Sequence, residues 1–276
     1  MKEIKEKYYD FAVSDFDGTL ANSNSIVSVD CVNTINSFVS RGGIFTVCTG
    51  RMTGAIIPQC KQFGISGYVI GYNGGEICDI ASGEKVYKKH IENNVIVKLL
   101  EYAEINGYTA ISYPNDVITV STVNEQVADY IRIAKINCHV LCEPLSSYFK
   151  KSGQTSGKIL IYTNGDEEEN NRILADLNKI AGDVCAIGMS NERHVDITQK
   201  SVSKGGAVKV LAKLVNKSME KLICFGDQMN DISMLKVAAL AVVTANANEK
   251  VKLIADVVTD SCDEDGVKKA IERYCI

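Results

Sequence analysis

The chain has 276 residues, 46% of them hydrophobic and 23% charged, with a formal net charge of -4. This is an ordinary globular balance that excludes long disorder, and the length allows either one large domain or a core with a second domain inserted in it. A slightly acidic total does not suggest a basic nucleic-acid-binding surface, because neutralising a phosphate backbone takes clustered Lys and Arg, and no nucleic-acid partner is expected.

At the N-terminus, Met1 to Lys7 alternates charges without an apolar core, so it does not read as a signal peptide. Tyr8 to Ser14 is a mostly apolar run that ends in Asp15-Phe16-Asp17-Gly18, a buried strand leading into a loop. Ile26, Val29, Val32, Ile35 and Val39 recur at helical spacing, and Gly42 and Gly43 stop that helix. A second strand, Ile44 to Cys48, ends at Thr49-Gly50-Arg51; the helix expected after it is shortened or kinked by Pro58. A third strand, Tyr68 to Gly71, ends at Asn73-Gly74-Gly75.

The segment 83–197 has a different rhythm. Strand-like runs at Tyr108 to Ser112 and Val117 to Val120 flank Pro114-Asn115-Asp116, helices are expected near 124–136 and 166–181, and strands at Lys158 to Tyr162, Val184 to Ile187 and His194 to Ile197. After it the first rhythm returns: a helix over 204–215 with Val208, Leu211 and Leu214 on one face, then strands at Leu222 to Phe225, Leu240 to Val243 and Val257-Val258, each followed by a helix. Strands alternating with helices argue for a parallel α/β sheet covered on both faces. The expected architecture is therefore a split α/β core, 1–82 and 198–276, with an α+β cap inserted at 83–197. No apolar run approaches the roughly 18 residues of a membrane span, so no membrane partner and a cytoplasmic location are expected, where thiols stay reduced. The ten cysteines then read as packing; Cys48, Cys185 and Cys224 fall inside apolar runs.

Two acidic clusters carry chemistry. Asp15 and Asp17 stand two residues apart at the end of a strand, the edge where parallel α/β sheets bind ligands. Two carboxylates held together repel unless a cation lies between them or one is protonated, and hard oxygen ligands favour Mg2+. Gly226-Asp227-Gln228-Met229-Asn230-Asp231 also ends an apolar strand, which puts Asp227 and Asp231 at the same edge. A solvated Asp-Gly turn and an acidic helix start would explain either cluster alone, but not why both end parallel strands. Thr49-Gly50 offers a hydroxyl and main-chain N–H groups near a helix start, and Lys204 opens another helix.

Asp15-Phe16-Asp17-Gly18-Thr19-Leu20, Thr49-Gly50-Arg51, Ser203-Lys204-Gly205 and Gly226-Asp227-Gln228-Met229-Asn230-Asp231 occur in that order. Together they resemble the four motifs of the haloacid dehalogenase-like hydrolase superfamily. The insertion between the second and third resembles the type IIB cap of its Cof-type phosphatases; Asn73-Gly74-Gly75 and Val195-Asp196-Ile197 fit that subfamily. The resemblance implies a Rossmann-like core and a magnesium-dependent phosphatase acting on a small phosphorylated metabolite, such as a sugar phosphate, through an aspartyl-phosphate. It implies Asp15 as nucleophile and Asp17 as the acid that protonates the leaving oxygen and then activates water. It implies Mg2+ on the carboxylates of Asp15 and Asp227 and on the main-chain carbonyl of Asp17, with Asp231 orienting the metal shell. Thr49, Gly50, Lys204, Asn230 and main-chain N–H groups, Phe16 among them, would hold the phosphoryl oxygens.

A sugar phosphomutase on the same core is the alternative, although it needs a second phosphate site and the cap carries few arginines (Arg132, Arg172 and Arg193). A non-catalytic phosphate-binding module would have lost a nucleophile or metal ligand, and none is missing. Cys138, His139 and Cys142 lack the spacing of a zinc site and read instead as a helix end followed by a buried strand. In the last cap strand, alternation puts His194 and Asp196 on one face and Val195 and Ile197 in the cap interior. The polar pair is the expected substrate-specificity element; the competing reading has Asp196 capping the linker and His194 solvated. The oligomeric state is open, with a monomer as the default.

Overall fold

All four residues of the first strand, β1 (Phe11–Ser14), are buried, as in a strand covered on both faces. The computed structural model describes residues 4–134 and 138–276. The chain forms two compact units, Met1–Lys88 with Ser203–Ile276, and Lys89–Val202.

In the first unit, β1 is followed by α1 (Val29–Ser40), β2 (Ile44–Cys48), α2 (Thr53–Gln62), β3 (Tyr68–Gly71), β4 (Glu76–Asp79) and β5 (Lys85–Lys88). The second unit holds α3 (Asn93–Ile105), β6 (Ala110–Ser112), β7 (Ile118–Val120), α4 (Glu125–Ala134), β8 (Cys138–Val140), α5 (Leu145–Ser152), β9 (Lys158–Tyr162), α6 (Glu167–Ala181), β10 (Cys185–Asn191) and β11 (His194–Gln199). The first unit resumes with α7 (Lys204–Leu214), β12 (Leu222–Gly226), α8 (Ile232–Leu235), β13 (Leu240–Val243), α9 (Glu249–Lys252), β14 (Val257–Val258) and α10 (Gly266–Tyr274).

The first sheet has the order β14-β13-β12-β1-β2-β3-β4-β5. Its strands run parallel from β14 to β3, and the hairpin β3-β4-β5 is antiparallel. Ser14 pairs with Phe225 on one side and with Val47 on the other, so the segments after β1, β12 and β2 leave the same edge together. One face of the sheet packs on α1 and α10 through Ile35, Phe38, Ala270 and Ile271; the other packs on α7 and α8 through Val208, Leu211, Met234 and Leu235. The second sheet, β10-β11-β9-β6-β7-β8, is antiparallel except for the β7–β8 pair. Its core sets Val195 and Ile197 against Ile96 and Leu100 of α3, Phe149 of α5, and Ile173 and Leu177 of α6. The expected α/β class with an α+β insertion is the architecture found.

Details differ from the sequence reading. The helix expected to bury Ile26 and Val29 starts only at Val29, and both side chains are exposed. Ser28 caps it, its Oγ accepting from the Cys31 N–H at 3.0 Å, which turns Cys31, Thr34, Ile35 and Phe38 inward. Leu214, at the last residue of α7, is exposed, not part of the buried face. Four elements, the short β4, β5 and α5 and the 13-residue α3, have no counterpart in the sequence reading. Because β5 pairs with β4 in the first sheet, the division between units falls after Lys88, where the sequence analysis placed it after residue 82. The helix read to residue 136 is described as far as Ala134; residues 135–137 lie outside the described residues, as do residues 1–3. The segment Cys138–Val140 is a strand, but His139 and Val140 are exposed rather than buried. Cys48, Cys185 and Cys224 are buried, and all ten cysteines are free thiols.

Candidate active site

Three segments leave the edge of the first sheet side by side and bring their carboxylates together. Asp15 follows β1, and its N–H donates to the Phe225 carbonyl of β12 at 2.9 Å. Asp227 follows β12, and Asp231 lies one turn beyond it. Carboxylate oxygens of Asp15, Asp227 and Asp231 all lie within 4.8 Å of one another, and all three residues are buried.

Lys204, at the first turn of α7, is 0% exposed and sits inside this group. Its Nζ donates to Asp15 Oδ1 and to Asp231 Oδ1, each at 2.6 Å. The other oxygen of Asp231 accepts from the N–H groups of Asp227 and Gln228, both at 2.9 Å. With both oxygens engaged, Asp231 anchors the loop and the lysine. Asp227 accepts from the Thr19 hydroxyl at 2.7 Å and from Gln228 Nε2 at 3.0 Å. The loop between Asp15 and Thr19 closes against Asp227 only because residue 18 is glycine. Its φ is +73°, and a Cβ there would lie 2.9 Å from Asp227 Oδ2.

Burial sets the charge state. It pushes the Asp15 carboxyl up to about 7, against the pull of the Lys204 ammonium, with Asp231 adding to the rise. It also raises Asp227, a shift opposed by the Thr19 hydrogen bond. For Lys204 burial disfavours the charge, but the carboxylates of Asp15 and Asp231 outweigh it, and the ammonium is held above its usual range. Three carboxylates around one ammonium leave an excess of buried negative charge.

Asp17 is placed differently. Its carboxylate is half-exposed and grips Arg51 in a bidentate pair, Nε to Oδ2 at 2.8 Å and Nη2 to Oδ1 at 2.5 Å. The guanidinium lies 5.1 Å from the centre of the buried Phe16 ring and donates to Gln59 Oε1 at 3.2 Å. Thr49 is buried, and its Oγ1 accepts from the Arg51 N–H at 3.1 Å, which fixes the turn Thr49-Gly50-Arg51. Asn230 is exposed, and its Nδ2 donates to Asn73 Oδ1 at 3.0 Å.

Asp15, Asp17, Thr49, Gly50, Asn230 and Asp227, named from sequence, thus lie on segments that leave one sheet edge, and Lys204 meets them from the first turn of α7. Sequence reasoning missed Thr19 and Gln228 on Asp227, and Arg51 on Asp17. Thr19 and Gln228 stand beside motif acids in sequence, which was the signal for them; Arg51 is 34 residues from Asp17, and only its place after Thr49-Gly50 pointed to it. It also missed Asn246, whose amide donates to the Gly18 carbonyl at 2.8 Å and accepts from the Cys262 N–H at 2.9 Å; no local pattern marks it.

His194 and Asp196 lie in the second unit on β11, half-buried, while Val195 and Ile197 between them are fully buried. Asp196 pairs with Lys158 of β9 at 2.7 Å, and the His194 ring meets Tyr162 edge-on at 4.6 Å. Each is therefore engaged across the sheet, Asp196 with a lysine and His194 with an aromatic ring.

Residues 12–271 match the sequence model of the haloacid dehalogenase-like hydrolases, and the chain belongs to that family. It is 28% identical over 279 residues to the phosphatase YwpJ of Bacillus subtilis, a match covering 92% of this chain and 95% of that one. The structure of TM0651 from Thermotoga maritima superimposes with a TM-score of 0.87 at 28% identity, covering 96% of this chain and 97% of that one. The fold is also that of the haloacid dehalogenase subclass IIB sugar phosphatase BT4131, with a TM-score of 0.77 at 24% identity over 95% of this chain and 98% of that one. A further relative, the chloroplastic endoribonuclease YBEY of Arabidopsis thaliana, is 25% identical over 274 residues; the chain spans 46% of its length. Several relatives in the family are named as phosphatases. Among the described residues no helix is long and apolar enough to cross a membrane.

Proposed function

We propose that this protein is a cytoplasmic Mg2+-dependent phosphatase that hydrolyses a small phosphomonoester, a sugar phosphate or similar metabolite, through an aspartyl-phosphate on Asp15. The observation that carries the reading is the buried cluster of Asp15, Asp227 and Asp231 around the single ammonium of Lys204.

The donor set fits a hard divalent cation. Asp15 and Asp227 would hold it with carboxylate oxygens, and Asp17 with its main-chain carbonyl. Asp231, saturated by Lys204 and two N–H groups, would orient this shell from behind. When bound, Mg2+ supplies positive charge against the phosphoryl oxygens.

The chain's own residues do the rest. A carboxylate oxygen of Asp15 attacks phosphorus and the ester oxygen departs, taking a proton from Asp17. Asp17, now a carboxylate, takes a proton from water as that water attacks the aspartyl-phosphate, and inorganic phosphate is released with Asp15 regenerated. In the structure both Asp17 oxygens accept from Arg51, outside the carboxylate cluster, so this pair opens when Asp17 carries the proton it gives to the leaving oxygen. The Thr49 hydroxyl, the N–H groups of Phe16 and Gly50, the Lys204 ammonium and the Asn230 amide would hold the phosphoryl oxygens. Phosphoryl transfer consists largely of such positioning and charge neutralisation. Selection among substrates is assigned to the inserted unit, with His194 and Asp196 as the polar pair on its last strand.

The test is hydrolysis of a panel of phosphorylated metabolites by the purified protein. EDTA should abolish turnover and Mg2+ should restore it; full activity in the chelated protein would overturn the reading.

A further inference from the structure

The turn between β3 and β4 is strained and touches three of the motif segments. Consecutive residues Tyr72, Asn73 and Gly74 have φ of 51°, 55° and 104°, all in the left-handed region. Hairpin loops of this length are most often built around type I turns, which keep φ negative. A left-handed aromatic residue is an outlier, and such outliers persist where the surroundings enforce them, often at functional sites.

The surroundings here are the candidate phosphate cradle. The Tyr72 N–H donates to the Arg51 carbonyl at 2.9 Å, and the Asn73 N–H donates to the Thr49 carbonyl at 3.0 Å. Asn73 Oδ1 accepts from Asn230 Nδ2 at 3.0 Å. Gly50 lies so close that a Cβ on it would be 3.1 Å from Asn73 Oδ1. Gly74 approaches the residue before Lys204, and a Cβ on it would lie 2.3 Å from the Ser203 carbonyl oxygen. The left-handed backbone is thus what lets one short turn reach the second, third and fourth motifs at once.

We infer that Asn73 is a positioning residue for the phosphoryl group: its side-chain oxygen orients the Asn230 amide while its main chain sets the Thr49-Gly50 turn. An amide nitrogen carries two N–H groups. Binding one to Asn73 fixes the rotation of Asn230 and commits the other to a phosphoryl oxygen. Asparagine suits the position because it tolerates left-handed backbone better than other non-glycine residues. This inference rests on the phosphatase reading above.

The experiment uses the full chain, with p-nitrophenyl phosphate as substrate and inorganic phosphate as competitive inhibitor. Asn73→Gly keeps a permissive backbone and deletes the amide. It should weaken phosphate inhibition and lower kcat/KM by about tenfold, the size of one hydrogen bond. Asn230→Ala should do the same, and the double variant should be no worse than Asn230→Ala alone, because both remove one interaction. Additive losses, or an Asn73→Gly enzyme with wild-type kinetics, overturn the inference. Should Asn73→Gly fail to fold, Asn73→Asp retains the acceptor and the backbone tolerance but puts negative charge beside the cradle. Its phosphate inhibition constant should rise, and a wild-type constant overturns the inference. Wild-type protein that neither hydrolyses the substrate nor binds phosphate overturns the phosphatase reading as well. Wild-type activity with unaffected Asn73 variants overturns the inference alone.

Discussion

Asp15 and Asp17 are chemically identical and two residues apart, yet their surroundings differ. Asp15 is buried and hydrogen-bonded to Lys204, whereas Asp17 is half-exposed and clasped by Arg51. The strand between β12 and β2 ends at Ser14, so the chain turns at the sheet edge, with the two acids on either side of the buried Phe16. Different roles predict different lesions. Asp15→Asn should remove turnover and all covalently bound phosphate. Asp17→Asn should lower kcat by about 10²–10⁴, the range for loss of general acid–base catalysis. Because the main-chain carbonyl remains, its Mg2+ dependence should persist. Acid-quench trapping of labelled phosphoenzyme separates the two; near wild-type turnover in Asp15→Asn would show that another group is the nucleophile.

At the scale of elements, backbone contact places Lys204. The first turn of α7 packs directly on α8, and a Cβ on Gly205 would lie 2.0 Å from the Ser233 carbonyl oxygen. The neighbouring Gly206 is exposed, and a Cβ there would meet only the Ser203 hydroxyl, at 3.1 Å. Gly205→Ala should therefore cost about 1–3 kcal/mol, the usual penalty of overpacking. It should also lower kcat, since α7 must shift and take Lys204 with it. Gly206→Ala should be far milder, because alanine favours helix over glycine and the clash is with a side chain. Urea denaturation of both variants, together with their kcat values, checks the contrast; equal stability would show that the α7–α8 contact is looser than it appears in the structure.

For the molecule as a whole, the proposed function divides the work between the two units. The first carries every acid of the carboxylate cluster, and the second carries none of it. Changes confined to β11 should therefore act on substrate choice and leave metal binding untouched. His194→Ala and Asp196→Ala are each expected to raise KM or narrow the range of accepted substrates. The rise in Tm on adding Mg2+, a linkage effect of binding to the folded state, should match that of the wild type. Asp196→Ala also removes the partner of Lys158, so stability is measured alongside the kinetics. Wild-type kinetics across the panel in both variants would exclude β11 as the specificity element.

Much of this protein is determined by local pattern. β2, β3, β9, β13 and β14 end where the sequence reading ends them, because short apolar runs bounded by glycine or polar residues leave little choice of register. The chemistry was legible for the same reason: the motifs that carry Asp15, Thr49 and Asp227 directly follow strands, and parallel strands present their ends at one edge, whereas Lys204 stands at the start of a helix. Other features needed the tertiary structure. The β4–β5 hairpin is four residues a side, each strand with charges at both ends and only two apolar residues between them, and it is a pair of strands only because β3 offers an edge. The buried face of α1 is set by the Ser28 cap, which overrides the apolar spacing that included Ile26. The pairing of Arg51 with Asp17 and of Asn73 with Asn230 joins positions 34 and 157 residues apart. A sequence window reports periodicity and burial, but which loops meet depends on strand order, and that order follows from how the whole sheet packs between its helices.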